Sequence, residues 1–156
     1  MPIVWSWQRF EDLGVYGLYD ALALRCRVFI LEQGAFQDPD GIDAQCWHLL
    51  GRDDAGTLQA YLRAPDPGVK YVEPSIGRII TSPEARGTGL GRLLVAQGVE
   101  RTVAAWPQAC VSQGIRISAQ ARLRRFYAEF GFVDTGPEYA EDGIPHQEML
   151  RVGAWP

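Results

Sequence analysis

The sequence predicts an α/β fold, one mixed sheet with helices packed against it. Three observations carry that expectation. A β-branched segment, Ile76-Gly77-Arg78-Ile79-Ile80-Thr81, runs into the glycine-rich stretch Ser82-Pro83-Glu84-Ala85-Arg86-Gly87-Thr88-Gly89-Leu90-Gly91. That stretch opens an apolar-periodic helix from Leu90 to about Trp106. Gly114 then leads to an alternating strand, Ile115-Arg116-Ile117-Ser118-Ala119, so a helical crossover joins two strands that are parallel neighbours.

The remaining elements follow in order. Ile3 to Trp7 is a short first strand. From about Val15 to Leu31 the period is helical, with Leu18, Leu22, Cys26 and Phe29 as the apolar stripe and Arg25 and Arg27 on the opposite face or a rim. Turn formers fill the loop from Gln33 to Gln45. Its Asp38-Pro39-Asp40-Gly41 run fails the spacing of a calcium loop, and no metal is expected. Trp47–Gly51 and Thr57–Arg63 are strands joined by the hairpin turn Asp53-Asp54-Ala55-Gly56. In the second of them Leu58, Ala60 and Leu62 alternate with Gln59, Tyr61 and Arg63, which predicts one buried face. After the crossover a helix runs from about Gln120 to Phe130 and stops at Gly131. Short strands at Phe132-Val133 and near His146–Val152 complete the order β-α-β-β-β-α-β-α-β-β.

A chain of 156 residues is long enough for one domain with a real core, and residues 1–156 are read as one. With 47% hydrophobic residues it is not a disordered chain. A formal net charge of −4 and a pI near 5.1 argue against a nucleic-acid surface and leave room for a cationic substrate. Cys26, Cys46 and Cys110 form no C-x-x-C and are expected as reduced, buried thiols of a cytoplasmic protein. No run approaches the ~20 apolar residues of a membrane span. The start, Met1-Pro2-Ile3-Val4-Trp5, lacks the basic and apolar regions of a signal peptide.

The glycine stretch admits three chemical readings. Such a loop turns backbone N–H groups toward an anion at the positive end of the following helix. A P-loop would need Lys-Ser or Lys-Thr after the glycines, and neither is there. A dinucleotide G-x-G-x-x-G fails in both registers, at Arg92 and at Leu94. Arg86-x-x-Gly89-x-Gly91 fits the third pattern, [QR]-x-x-G-x-[GA], at every fixed position.

The helix after Ala119 carries Phe126-Tyr127-Ala128-Glu129-Phe130-Gly131-Phe132. Leu123, Tyr127 and Phe130 share one face, the spacing of a core stripe. With these motifs in this order, the chain resembles a GCN5-related N-acetyltransferase (GNAT) over nearly all its length. The segments Arg25–Gln33, Asp38–Gly41 and Glu141–His146 resemble the ElaA-like branch in particular.

The resemblance implies a GNAT-like acyl-CoA N-acyltransferase fold whose two central parallel strands splay apart, with pantetheine in the wedge. It implies acetyl-CoA as co-substrate and an amine acceptor, in a monomer or homodimer. Arg86, Gly87, Thr88, Gly89, Leu90 and Gly91 would hold the pyrophosphate, and the backbone at Ile80 and Thr81 would pair with pantetheine. Tyr127 would protonate the leaving thiolate. The amine attacks the thioester directly, so the cysteines need no catalytic role. Where many relatives carry N-x-x-A, this chain has Gln120 and Leu123, and Gln120 stands as a cofactor contact of its own. His146 is a candidate base, with Glu32, Glu73 and Asp142 as the carboxylate candidates, and His48 is expected to be structural. Glu32, Asp40 and Glu141 are candidate acceptor residues. The clusters Asp38/Asp40/Asp43 and Glu138/Glu141/Asp142 lead to the expectation of a cationic acceptor. A non-catalytic acyl-CoA-binding module and a nucleotide-binding module are the alternatives.

Overall fold

The computed structural model describes residues 2–34 and 38–156, so part of the expected loop from Gln33 to Gln45 lies outside the described residues. The strands are β1 (Val4–Arg9), β2 (Cys46–Arg52), β3 (Leu58–Pro65), β4 (Gly77–Thr81), β5 (Ile115–Gln120), β6 (Val133–Asp134), β7 (Tyr139–Glu141) and β8 (Ile144–Arg151). The helices are α1 (Gly14–Arg25), α2 (Leu90–Ala105), α3 (Pro107–Ser112) and α4 (Arg124–Ala128).

The expected mixed sheet is two antiparallel halves. One runs β1-β2-β3-β4, and the other runs β5-β8-β6 with β7 also on β8. Their facing edges, β4 and β5, are joined at one parallel bridge, Ser75 to Arg116, where the Arg116 N–H donates to the Pro74 carbonyl at 2.9 Å. Beyond that bridge no ladder pairs them among the described residues. This is the predicted splay. A bulge sits at its mouth. Tyr61 pairs with Ile80 and Arg63 with Gly77, so β4 carries one residue more than β3 between these pairs. Arg78, inside the bulge, holds φ at +48°, a conformation that L side chains disfavour.

Helices cover both faces of the first half. Ala21, Leu24, Val28 and Phe29 pack with Leu50, Leu58, Tyr61 and Ile80 on one side. Leu90, Leu94, Val95 and Val99 pack with Leu49, Ala60, Leu62 and Ile76 on the other. A Cβ on Gly98 would meet Leu62 at 2.5 Å, so this glycine sets how closely α2 approaches β3. All eight residues of β3 are buried, which corrects the expectation of one buried face.

The first helix differs from its expected stripe. Its buried residues are Gly17, Ala21, Leu24, Arg25, Val28 and Phe29, while Leu18 and Leu22 only flank the core and Cys26 is exposed. The buried face carries the small residues Gly17 and Ala21, and a stripe drawn through the leucines misses it. The helix then widens into a π-helical stretch, Cys26–Glu32, whose side chains reach the splayed gap.

The expected helix from Gln120 to Phe130 is shorter. A tight turn, Ala121–Leu123, precedes the five-residue α4. Gly131 follows with φ of +92°, the left-handed stop expected of it. Two elements were not anticipated. Helix α3 begins on Pro107, a favoured first helical residue. Strand β7 pairs with β8 across Asp142 and Gly143, both at positive φ, the conformation that favours Asp-Gly in two-residue hairpin turns.

Arg25 overturns the rim assignment most clearly, being 1% exposed. Its Nε donates to Asp38 Oδ2 and its Nη1 to Asp43 Oδ1, both at 2.8 Å. Arg63 donates to Asp40 Oδ1 at 2.7 Å and to Asp43 at 3.0 Å, and Arg78 donates to Asp38 at 2.9 Å. His48 completes the cluster. Its Nε2 lies 2.9 Å from the Asp43 carbonyl, which can only accept, so Nδ1 accepts from the Tyr61 hydroxyl at 2.7 Å. The structural role expected for His48 is the one its contacts define.

The cluster has a pH signature. Burial alone would raise the Asp40 and Asp43 carboxyl pKa values. Hydrogen bonds and charge from Arg63 and Arg25 more than offset this, holding Asp40 well below the usual range and Asp43 below it. Burial holds His48 below its ordinary value, so it stays neutral when folded. For each group the folded pKa lies below the unfolded one. Its stabilisation is therefore complete above the unfolded value and fades as pH falls. The melting temperature should be flat above about pH 7, decline below about pH 6.5 and fall steeply below about pH 4. A thermal scan across buffers checks this, and a melting temperature that rises on acidification would contradict it.

Candidate active site

The gap between β4 and β5 holds two cavities that share a wall. The larger, about 430 Å³, is lined by Glu32, Thr81, Arg86, Gly91 and Arg122 among others. The smaller, about 110 Å³, is lined by Arg63, Lys70, Arg78, Glu141, Asp142 and His146 among others. Phe29, Gln33, Ile79, Gln120, Leu123 and Tyr127 line both. Tyr127 therefore stands where the two meet.

Local sequence explains the larger cavity's loop. Ser82 accepts from the Ala85 N–H at 3.3 Å and caps a tight turn, Pro83–Ala85. The Thr88 hydroxyl donates to the Ala85 carbonyl at 2.5 Å. Gly87 and Gly89 take φ of +79° and +85°, and a Cβ on either, or on Gly91, would meet nothing within 4 Å. The glycines thus leave an open approach to the backbone. Among the described residues the N–H groups of Gly87 through Arg92 find no acceptor, as expected of a helix start. Six consecutive free donors at the positive end of a sixteen-residue helix form an anion cradle.

The side chains near the cradle are placed unevenly. Arg86 pairs with Glu32 at 2.9 Å, tying the end of the first helix to the loop. Glu32, expected on the acceptor side, thus lies against the glycine loop. Gln120 donates to the Gln33 side chain at 2.9 Å and closes the wall between the cavities. Arg122 adds a cation that the loop pattern did not contain. Of the two backbone positions expected to pair with pantetheine, one is otherwise engaged. The Ser82 N–H donates to the Gln59 carbonyl on β3. Strand alternation puts the Ile80 groups on that same side and leaves those of Thr81 facing the gap.

Tyr127 is 6% exposed, packed edge-on against Phe126 and Phe132. Its hydroxyl makes no hydrogen bond among the described residues. Burial pushes its pKa up, so it keeps its proton at neutral pH. His146 is also buried and lines the smaller cavity. Its Nδ1 lies 2.8 Å from the Ile144 carbonyl and so carries the proton, leaving Nε2 as the basic nitrogen. Glu141 Oε2 is 3.4 Å from that Nε2. A proton taken up on Nε2 would meet a carboxylate.

The acidic clusters do not have the expected freedom. Asp38, Asp40 and Asp43 face Arg25, Arg63 and Arg78, three carboxylates against three guanidinium groups. Asp40 is part of that internal framework and no outward cation trap. The loop field inferred for a cationic acceptor is cancelled at one of its two clusters, Asp38/Asp40/Asp43.

Comparison with known proteins places this geometry. The family described as an acetyltransferase (GNAT) domain matches residues 47–152. This chain belongs to the GNAT acetyltransferase family. A UPF0039 protein of Synechocystis is 45% identical over 96% of each chain. Among solved structures, an acyl-CoA N-acyltransferase from Pseudomonas aeruginosa superposes with a TM-score of 0.90 at 36% identity, covering 97% of this chain and 100% of that one. Escherichia coli ElaA superposes with a TM-score of 0.87 at 36% identity, covering 96% and 99%. The expected fold and the ElaA-like branch are therefore both found. The GNAT fold accounts for the gap, and family membership makes an acyltransferase the class of enzyme. No described helix is long and apolar enough to cross a membrane.

Four cavity cations, Arg63, Lys70, Arg78 and Arg122, were missed as site residues. Arg63 lies on a strand read as half-exposed, and Lys70 in a proline-marked loop with no pattern of its own. The Asp-Gly turn could have placed β7, and with it Glu141 beside His146.

Proposed function

We propose that the protein is an acetyl-CoA-dependent N-acetyltransferase that moves the acetyl group directly to a primary amine of a small molecule or peptide. The observation that carries this is the pair of cavities meeting at Tyr127, one beneath the anion cradle and one beside His146. Acetyl-CoA enters the larger cavity. Its pyrophosphate takes the amides of residues 87–92, with Arg86 and Arg122 as flanking cations. Its pantetheine lies along the open edge of β4 as an added strand, pairing at Thr81. The acceptor enters the smaller cavity and attacks the thioester carbon at the shared wall.

An ammonium must lose a proton before it attacks. His146 Nε2 accepts that proton, directly or through a water, and Glu141 then pairs with the imidazolium. The nitrogen–carbon bond forms and the carbon–sulfur bond breaks. Tyr127, protonated because it is buried, gives its proton to the leaving thiolate, and the proton that the attacking nitrogen sheds as the amide forms restores the tyrosine. A cysteine nucleophile is not needed. Burial raises the pKa of the Cys46 thiol to about 12 and of Cys110 to about 11, which leaves both unreactive near neutrality. Free thiols also fit the cytoplasmic location we propose.

Thiol release from acetyl-CoA, followed across a panel of amines, tests the reading. Release should require the amine and match the acetylated product. Binding of acetyl-CoA with no transfer to any amine would leave the non-catalytic module in its place. A second test addresses the cradle. Gly89→Val puts a branched side chain at positive φ over the approach, and CoA affinity should fall more than tenfold, the worth of one charge-assisted hydrogen bond. Unchanged affinity in a folded variant would remove the loop from the binding site.

A further inference from the structure

We propose that the acceptor is a zwitterion, an amine that carries a carboxylate in the manner of an amino acid, and this rests on the acetyl-transfer reading above. The smaller cavity is electrically divided. The first half-sheet and its loop supply Arg63, Arg78 and Lys70, and the β7–β8 hairpin supplies Glu141, Asp142 and His146.

The cationic wall is not fully compensated. Asp40 and Asp43 hold the terminal nitrogens of Arg63. Its Nε–H is buried and has no hydrogen-bond partner among the described residues. Buried donors without an acceptor are rare in folded proteins. Lys70, the only lysine in the chain, makes no ion pair among the described residues, although Glu141 across the cavity is the charge that draws it most. Its ammonium lies 5.7 Å from the centre of the Tyr71 ring. One unpaired ammonium and one unsatisfied N–H on the same wall match a singly charged carboxylate. The opposite wall then receives the amine. An ammonium placed there meets Glu141, and His146 Nε2 stands beside that carboxylate to take the proton.

The smaller cavity, about 110 Å³, suits a compact acceptor. A carboxylate at the Lys70 end also fixes which way round the acceptor lies, which aims its amine at the hairpin. A plain amine would occupy the acidic wall and leave the Lys70 ammonium and the Arg63 Nε–H unmatched.

Matched acceptors test this. Alanine is compared with ethylamine, leucine with isopentylamine, and lysine with cadaverine. Acetylated product is followed by mass spectrometry in the wild-type protein, in Lys70→Gln and in Lys70→Arg. The kcat/KM of each acid should exceed that of its decarboxylated partner by at least about tenfold, chiefly through KM. Lys70→Gln should reduce that ratio by about tenfold, and Lys70→Arg should keep most of it. Lys70 sits in an exposed loop, so neither change threatens folding. Equal use of both members of each pair would overturn the proposal, as would an unaltered ratio in Lys70→Gln. Those failures leave amine acetylation standing. Failure to acetylate any amine would instead remove the acetyl-transfer reading and this proposal with it.

Discussion

Tyr127→Phe should lower kcat by roughly 10²–10⁴-fold while CoA affinity stays nearly unchanged. The ring makes the packing contacts, edge-on to Phe126 at 5.2 Å and Phe132 at 6.2 Å between centroids, and phenylalanine keeps them. The hydroxyl makes no hydrogen bond among the described residues, so its loss leaves no buried partner stranded. The variant should therefore fold with wild-type stability and fail at chemistry. Circular dichroism checks the first half of that statement, and steady-state kinetics with a CoA titration checks the second. A wild-type rate would return Tyr127 to the core stripe that its spacing with Leu123 and Phe130 also describes.

Arg25→Met should be the most damaging change outside the gap. The side chain fits the buried helix face, but Asp38, 2% exposed, and the half-buried Asp43 lose a guanidinium that each bonds at 2.8 Å. Breaking a buried pair from one side costs on the order of 3–5 kcal/mol, because the partner charge stays behind. For a chain of this length that corresponds to a melting temperature lower by roughly 10 °C or more. The loss should shrink in acid, where the stranded carboxylates take up protons. A melting temperature within a few degrees of wild type would mean that Arg78 and Arg63 alone neutralise the cluster.

The sequence was most legible where local geometry dictates residue type. Positive φ in the loop demands glycine, so Gly87 and Gly89 mark the proposed anion cradle without knowledge of the fold. The crossover after that loop implies parallel neighbours, and the single bridge at Ser75 leaves these two strands apart, as the family pattern requires. The place of Tyr127 at the wall between the two cavities was legible because its motif follows the crossover strand directly. Pairing between distant charges was not legible. Arg25, Arg63 and Arg78 come from a helix and two strands, and Asp38, Asp40 and Asp43 from one loop. No local periodicity announces that these six groups cancel. Asp40 consequently read as an acceptor residue when it is half of an internal pair. Glu32 misled in the same way, since its partner Arg86 lies 54 positions along the chain. The misplaced stripe on α1 comes from residue size. Gly17 and Ala21 lie on the buried face, and hydrophobic scales give such small residues little weight.

The central claim is direct transfer at the junction of two cavities. A single-turnover quench tests it most directly. The protein is mixed with a limiting amount of acetyl-CoA and an excess of amine, stopped at intervals, and both protein and products are weighed by mass spectrometry. The account predicts that CoA and acetylated amine appear together at equal rates while the protein keeps its unmodified mass. An acetyl group that appears first on the protein and passes to the amine later would contradict it.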